Sequence, residues 1–121
     1  VVSIFSNKIL KNEKPIIYGN GEQTRDYVFV KDVVNALILS SKFDTNLFLN
    51  IGTGIETSVN QLLETIKSEF ASDLEPIYQE ARKGELLRSV LNSTKAQKEL
   101  NWQSQYSLNE GIKEVVSWLK T

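Results

Sequence analysis

The sequence predicts one α/β domain, a small mixed sheet with flanking helices, and three observations carry that reading. Short β-prone runs, Ile16-Ile17-Tyr18, Leu47 to Ile51 and Pro76-Ile77-Tyr78, alternate with stretches whose apolar residues recur at helical spacing. Two of those stretches open on a capping box, Ser58 with Gln61 and Ser107 with Glu110, in which each side chain satisfies a free N–H of the first turn. At 121 residues the chain is long enough for one core and too short for two.

In chain order, Val1 to Asn12 carries Val1, Phe5 and Ile9 at four-residue spacing, with Val2, Ile4 and Leu10 beside them, and Pro15 closes the segment. This predicts a helix with one apolar stripe. Ile16 to Tyr18 follows as a strand, and Gly19-Asn20-Gly21 as a turn, since Gly and Asn tolerate positive φ. From Arg25 to Val30 the residues alternate, which predicts a second strand, and Asp32 is placed to cap the next helix. The run after Asp32, VVNALILSSK, is apolar around most of its circumference, which predicts burial on more than one side. Leu47 to Ile51 reads as a short buried strand ended by the turn Gly52-Thr53-Gly54. The helix from Ser58 presents Val59, Leu62, Leu63, Ile66 and Phe70 on one face. A strand at Pro76 to Tyr78, a polar loop at 81–85, an extended stretch at 87–91 and a short helix from Thr94 to Leu100 follow. The last helix buries Leu108, Ile112, Val115 and Leu119, with Trp118 flanking, and Trp102, Trp118 and Phe70 are assigned to packing.

Composition narrows the chemistry. Fourteen basic residues stand against 15 acidic ones, so nothing favours nucleic acid. With no Cys and no His, thiol nucleophiles, disulfides and His-based catalysis are excluded, and a zinc site is not expected. The absence of Cys, of a signal peptide and of a long apolar run predicts a cytoplasmic protein without a membrane segment. There is also no Met, and the chain starts Val1-Val2-Ser3 inside an apolar-periodic segment, so it reads as a piece of a longer protein.

The stretch from Ile16 to Asp32, IIYGNGEQTRDYVFVKD, organises the rest. Arg25 stands at a turn-to-strand junction beside Tyr27 and Phe29. It is either a fixed cation for an anionic ligand or one half of a surface ion pair. Gly52-Thr53-Gly54 lies between a strand and a helix but has Thr57 where a dinucleotide fingerprint needs a third Gly, so it reads as a turn. Arg82-Lys83-Gly84-Glu85, on residue types alone, reads as a solvated charged loop.

The order of four segments, IIYGNGEQTRDYVFVKDVVNAL, NIGTGIETSVNQLLETI, ARKGELLRSVLNSTKAQKELNW and SLNEGIKEVVSWL, resembles the carboxyl-terminal substrate-binding region of extended short-chain dehydrogenase/reductases. Within them it is most similar to nucleotide-sugar epimerases of the UDP-glucose 4-epimerase type. The resemblance covers nearly the whole chain. The family's Gly-rich dinucleotide fingerprint and its Tyr-x-x-x-Lys pair have no counterpart here.

The resemblance implies a fold and a set of roles. The fold is the substrate-binding part of a Rossmann-superfamily enzyme, with residues 1–121 as the nucleotide-sugar-binding region. Arg25 and Arg82 are expected to reach the diphosphate of a UDP-sugar, a task suited to a planar guanidinium that pairs two oxygens at once. Glu85 stands where the family has Asp against the ribose, one methylene longer. Ile16 and Tyr18 match positions that border uracil, although an ordinary strand would look the same. Asn92 replaces a common Asp before a helix start and still caps. Counting from Glu85 places Ser89 beside the C2 substituent of the sugar. NAD is expected on an amino-terminal dinucleotide-binding domain, with no cofactor or catalytic residue in this chain. The implied parent is a homodimeric NAD-dependent epimerase acting through a 4-keto intermediate, and the isolated chain is expected to be inactive and to self-associate. A nucleotide-sugar 4,6-dehydratase, a decarboxylase and a non-enzymatic nucleotide- or partner-binding module stay open beside it.

Overall fold

The structure, a computed structural model, describes residues 1–44 and 46–121. Helix α1, Val2–Leu10, buries Phe5, Ser6 and Ile9 and leaves Ile4 and Leu10 in solvent, so its stripe is narrower than the spacing predicts. Strand β1, Ile16–Tyr18, enters after the buried Pro15. At the turn that follows, Gly19 and Gly21 hold φ of +78° and +77°. Gly21 also meets Asn60 so closely that a Cβ there would lie 2.0 Å from its Oδ1. A side chain at Gly21 would be strained by the positive φ and would have to push the Asn60 amide aside.

Strand β2 is shorter than the alternation predicts. Thr24–Arg25 pairs antiparallel with β3, Thr57–Ser58, and residues 26–29 continue without a ladder partner among the described residues. Helix α2, Val30–Ser40, starts two positions before the expected cap. Phe29 occupies the N-cap position with no side-chain bond, and Asp32 lies inside the first turn. Asp32 is 1% exposed, and its carboxylate accepts from the backbone N–H of Gln105 (2.9 Å) and Tyr106 (3.2 Å). Its carbonyl accepts from Trp102 Nε1 at 2.9 Å. The carboxylate that sequence reading assigned to its own helix instead fastens the segment that leads into the last helix.

The expected burial of α2 on more than one side is not found. Asp32 and Ala36 are its buried residues, while Val30, Val34, Leu37 and Ile38 are exposed. One face packs on α4, Thr94–Leu100, through a small cluster of Ala36, Ala96, Leu100 and Trp102. Leu47, Leu49 and Ile51 add to that cluster with their side of the chain, but residues 47–51 form no strand, and Phe48 on the other side is 87% exposed.

The main core is built on α3, Val59–Phe70, whose Ser58–Gln61 capping box forms as expected. Val59, Leu62, Leu63 and Ile66 are buried against Phe5 and Ile9 of α1, Ile17 of β1, and Ile112 and Val116 of α5, Leu108–Leu119. The Ser107–Glu110 box also forms, but the buried face of α5 is turned slightly. Gly111, Ile112 and Val116 are buried, whereas Val115 and Leu119 are half-buried and Trp118 is 74% exposed. Strand β4, Ile77–Gln79, pairs parallel with β1, Ile16 opposite Ile77 and Tyr18 opposite Gln79. The architecture is therefore α/β, with one parallel and one antiparallel two-stranded pair and five helices among the described residues, and the two pairs bring the segments 19–25 and 80–91 side by side.

Candidate nucleotide-sugar cleft

A cleft of about 250 Å³ opens between α1, the end of β1, β2 and the loop after β4. Its lining includes Ile16, Tyr18, Arg25, Arg82 and Glu85, five of the six residues singled out from sequence. Two pairings in the fold cause this. The parallel β1–β4 pair sets Tyr18 beside Gln79, so the loop carrying Arg82 and Glu85 leaves from the level of Tyr18. The β2–β3 pair holds Arg25, whose guanidinium reaches that loop at Glu85 and Leu86. Ser89 is half-buried further along the chain and does not line the cleft.

Arg25 is fixed by its own neighbours. Nη1 donates to the carbonyls of Thr24 and Leu86, both at 2.7 Å, and Nη2 stands 3.7 Å from Glu85 Oε1. Arg25 is therefore part of an ion pair and also a wall of the cleft, and the two sequence readings of it are compatible. The Arg82 guanidinium lies over the Tyr18 ring, 4.0 Å from its centroid. Two guanidinium groups thus border one small cleft beside an aromatic face, an arrangement suited to an anion joined to a flat ring.

Three further residues carry weight that sequence reading did not give them. Gln23, buried, donates from Nε2 to the Tyr18 carbonyl at 2.9 Å and so fixes the turn between β1 and β2. Tyr27 lines the cleft with its hydroxyl buried and unpartnered, and burial raises its pKa against the opposing pull of Arg25. Asp26 points the other way, into the turn 52–54. Its Oδ1 accepts from Thr53 N at 2.9 Å and from the Thr53 hydroxyl, and its Oδ2 accepts from Gly54 N at 2.9 Å and Leu91 N at 3.3 Å. Burial pushes the Asp26 carboxyl up, but these bonds outweigh it and hold the pKa below the ordinary carboxylate value. Alternation at a strand end sends neighbours to opposite sides.

The same contacts decide what Gly52-Thr53-Gly54 can hold. A dinucleotide pyrophosphate needs free backbone N–H groups at such a turn. Here Thr53 and Gly54 give theirs to Asp26, and Gly52 gives its N–H to Ser93 Oγ at 3.0 Å. The turn does not fit NAD. Among the described residues no metal-ligand cluster occurs, and no helix is long and apolar enough to cross a membrane.

The fold is that of part of an extended short-chain dehydrogenase/reductase. Residues 1–115 match the family described as GDP-mannose 4,6 dehydratase, and the chain belongs to it. A Methanocaldococcus jannaschii protein provisionally named a UDP-glucose 4-epimerase is 48% identical over 120 residues, which are 99% of this chain and 39% of that protein. The solved UDP-glucose 4-epimerase of Thermotoga maritima with UDP-glucose superposes with a TM-score of 0.95 at 43% identity, over 98% of this chain and 38% of its own. The UDP-N-acetylglucosamine 4-epimerase of Methanobrevibacter ruminantium M1, in complex with UDP-N-acetylmuramic acid, gives 0.93 at 31% identity, over 99% and 39%. The chain thus spans about two fifths of the length of the curated relatives it matches.

Proposed function

We propose that this chain is the nucleotide-sugar-binding part of an NAD-dependent epimerase that interconverts UDP-glucose and UDP-galactose type substrates through a 4-keto intermediate. The observation that carries the reading is the convergence of Arg25 and Arg82, from separate segments, on one cleft with Tyr18 and Glu85. Arg25 and Arg82 hold the diphosphate, the Tyr18 side of the cleft takes the uracil, and Glu85 accepts from the ribose hydroxyls. Binding energy from this remote handle holds the sugar for reaction. NAD, which supplies the hydride chemistry, is held by a dinucleotide-binding domain outside this chain, as the occupied N–H groups of the turn 52–54 support. The uncovered apolar side of α2, together with Phe48, is the surface on which that domain rests. The names of the relatives support epimerisation, and the family description favours a 4,6-dehydratase as the second reading. The relative named for UDP-N-acetylglucosamine supports a hexose subsite that also admits an acetamide.

Calorimetry on the full-length protein tests the clamp. Arg25→Ala and Arg82→Ala are each expected to weaken UDP-sugar binding by about 1.5–3 kcal/mol, the scale of a charge-assisted hydrogen bond, and to leave NAD affinity unchanged. Unchanged UDP-sugar affinity in both variants returns the two arginines to ordinary surface residues.

A further inference from the structure

The segment 86–91 buries little apolar surface. Leu86, Leu87, Val90 and Leu91 are all exposed, so polar contacts must hold it. Residues 24–26 supply them at three points. Thr24 N donates to Leu87 O at 2.8 Å, Arg25 Nη1 donates to Leu86 O at 2.7 Å, and Leu91 N donates to Asp26 Oδ2 at 3.3 Å. A fourth tether, the Arg88–Glu56 fork, reaches the chain just before β3. The position of the Arg25 guanidinium and the position of this strap therefore define each other.

Asp26 closes the arrangement from behind. It is one residue from Arg25, and its two oxygens join the strap at Leu91 to the turn at Thr53 and Gly54. Two features make the fit specific to a carboxylate of this length. Each oxygen accepts from two donors, so an amide in its place would set an N–H₂ against at least one backbone N–H. The space behind is also closed: a Cβ on Gly52 would lie 2.6 Å from Asp26 Oδ2 and 2.9 Å from Leu91 Cβ.

We infer that Asp26 is a positioning residue for the cleft: by pinning the strap and the turn 52–54 to the strand that presents Arg25, it sets where Arg25 stands toward a bound diphosphate. The inference rests on the clamp reading of the cleft. Asp26 touches no ligand in it and acts through its neighbour.

A double-mutant cycle on the full-length protein, with UDP as the probe in calorimetry, tests the inference. Asp26→Asn is expected to weaken UDP about tenfold and Arg25→Ala by at least that, with the double variant no weaker than Arg25→Ala alone, because neighbours acting through one contact do not add. NAD affinity should stay close to wild type in Asp26→Asn, with the melting temperature lowered by no more than the one mismatched backbone N–H explains. If Asp26→Asn does not fold, Gly52→Ala takes its place, since it keeps the charge and crowds the contact between the carboxylate and Leu91. The inference is overturned if the Asp26 variant binds UDP like wild type while Arg25→Ala does not, or if the two losses multiply. A general loss of melting temperature and NAD binding in both the Asp26 and Gly52 variants overturns it as well. UDP binding unchanged in Arg25→Ala removes the clamp reading itself.

Discussion

The Arg82 guanidinium stands 4.0 Å from the centroid of the Tyr18 ring, although Tyr18 ends strand β1 and Arg82 lies in the loop after β4, which the parallel pairing of the two strands brings together. Arg82 is exposed, so the ring is what gives its long side chain a preferred place at the rim of the cleft. Tyr18 therefore has a second role beside bordering the cleft.

That relationship separates the ring from the hydroxyl. In the full-length protein Tyr18→Phe should bind UDP-sugar like wild type, because the face of the ring is kept. Tyr18→Leu should weaken binding by about 0.5–1 kcal/mol, the value of a cation–π contact at an exposed site. Equal affinities for the Leu and Phe variants in calorimetry would show that the ring does not hold Arg82.

The fork between Arg88 and Glu56, which ties the strap to the chain before β3, should make stability depend on acid. Arg88 donates from Nε and Nη2 to Glu56 at 3.0 and 2.6 Å, and the Thr24 hydroxyl donates to the same carboxylate at 2.7 Å. Arg88 first and Thr24 second bring the Glu56 pKa down to about 2 from the ordinary value of 4.5. Between those two values the unfolded chain binds a proton that the folded chain refuses, so falling pH favours unfolding. The stabilisation is complete above 4.5 and is lost as pH falls through about 2. Arg88→Ala should then melt below wild type near neutral pH and converge with it toward about pH 2. A melting difference that is the same at every pH counts against the pairing.

Local rules made much of this legible. Both capping boxes, the turn at Gly19 to Gly21, the β1 strand and the α3 face depend on neighbours a few residues apart, and all were readable. Asp32 and Asp26 were not, since each spends its carboxylate on a segment far along the chain. The same cause shortened β2: alternation from Arg25 to Val30 is real, but a ladder needs a partner strand, and Asp26 binds a turn instead. Residues 47–51 also alternate in burial and have no strand partner among the described residues. In the cleft, Arg25 and Arg82 carried a signal in their charge, whereas Gln23 and Tyr27 carried none until the fold brought them to it.

The chain of residues 1–121, produced by itself, should self-associate. Val30, Leu37 and Ile38 of α2 are 63%, 64% and 55% exposed, and Phe48 and Ile55 are 87% and 66% exposed. Apolar surface on that scale is normally covered by a partner. Light scattering should show mass rising with concentration, and Leu37→Lys with Ile38→Lys should reduce the rise. A single monomer mass over a wide concentration range would sink this expectation.

Substrate range is the last test, and it turns on Ser89. This residue lies on the strap between the Arg88 fork and the Leu91 contact to Asp26, half-buried and beyond the cleft that Arg25 and Arg82 border. If the UDP end of a substrate fills the cleft, the sugar extends toward the strap, as the resemblance to the epimerases implies. A serine there leaves room for a substituent at the sugar C2, whereas a tyrosine would fill it. Overpacking of that kind costs roughly 1–3 kcal/mol, which is about 5- to 150-fold in affinity or turnover. The full-length enzyme is therefore expected to turn over UDP-N-acetylglucosamine as well as UDP-glucose. Ser89→Tyr should lose the first activity by that factor and keep the second. Because the strap is held by backbone and side-chain tethers on either side of Ser89, the substitution should leave UDP affinity unchanged. The expectation fails if wild type cannot use the N-acetylated sugar, or if the Tyr variant uses it equally well. It also fails if UDP affinity drops together with both activities, since the new ring would then have displaced the strap rather than closed a subsite.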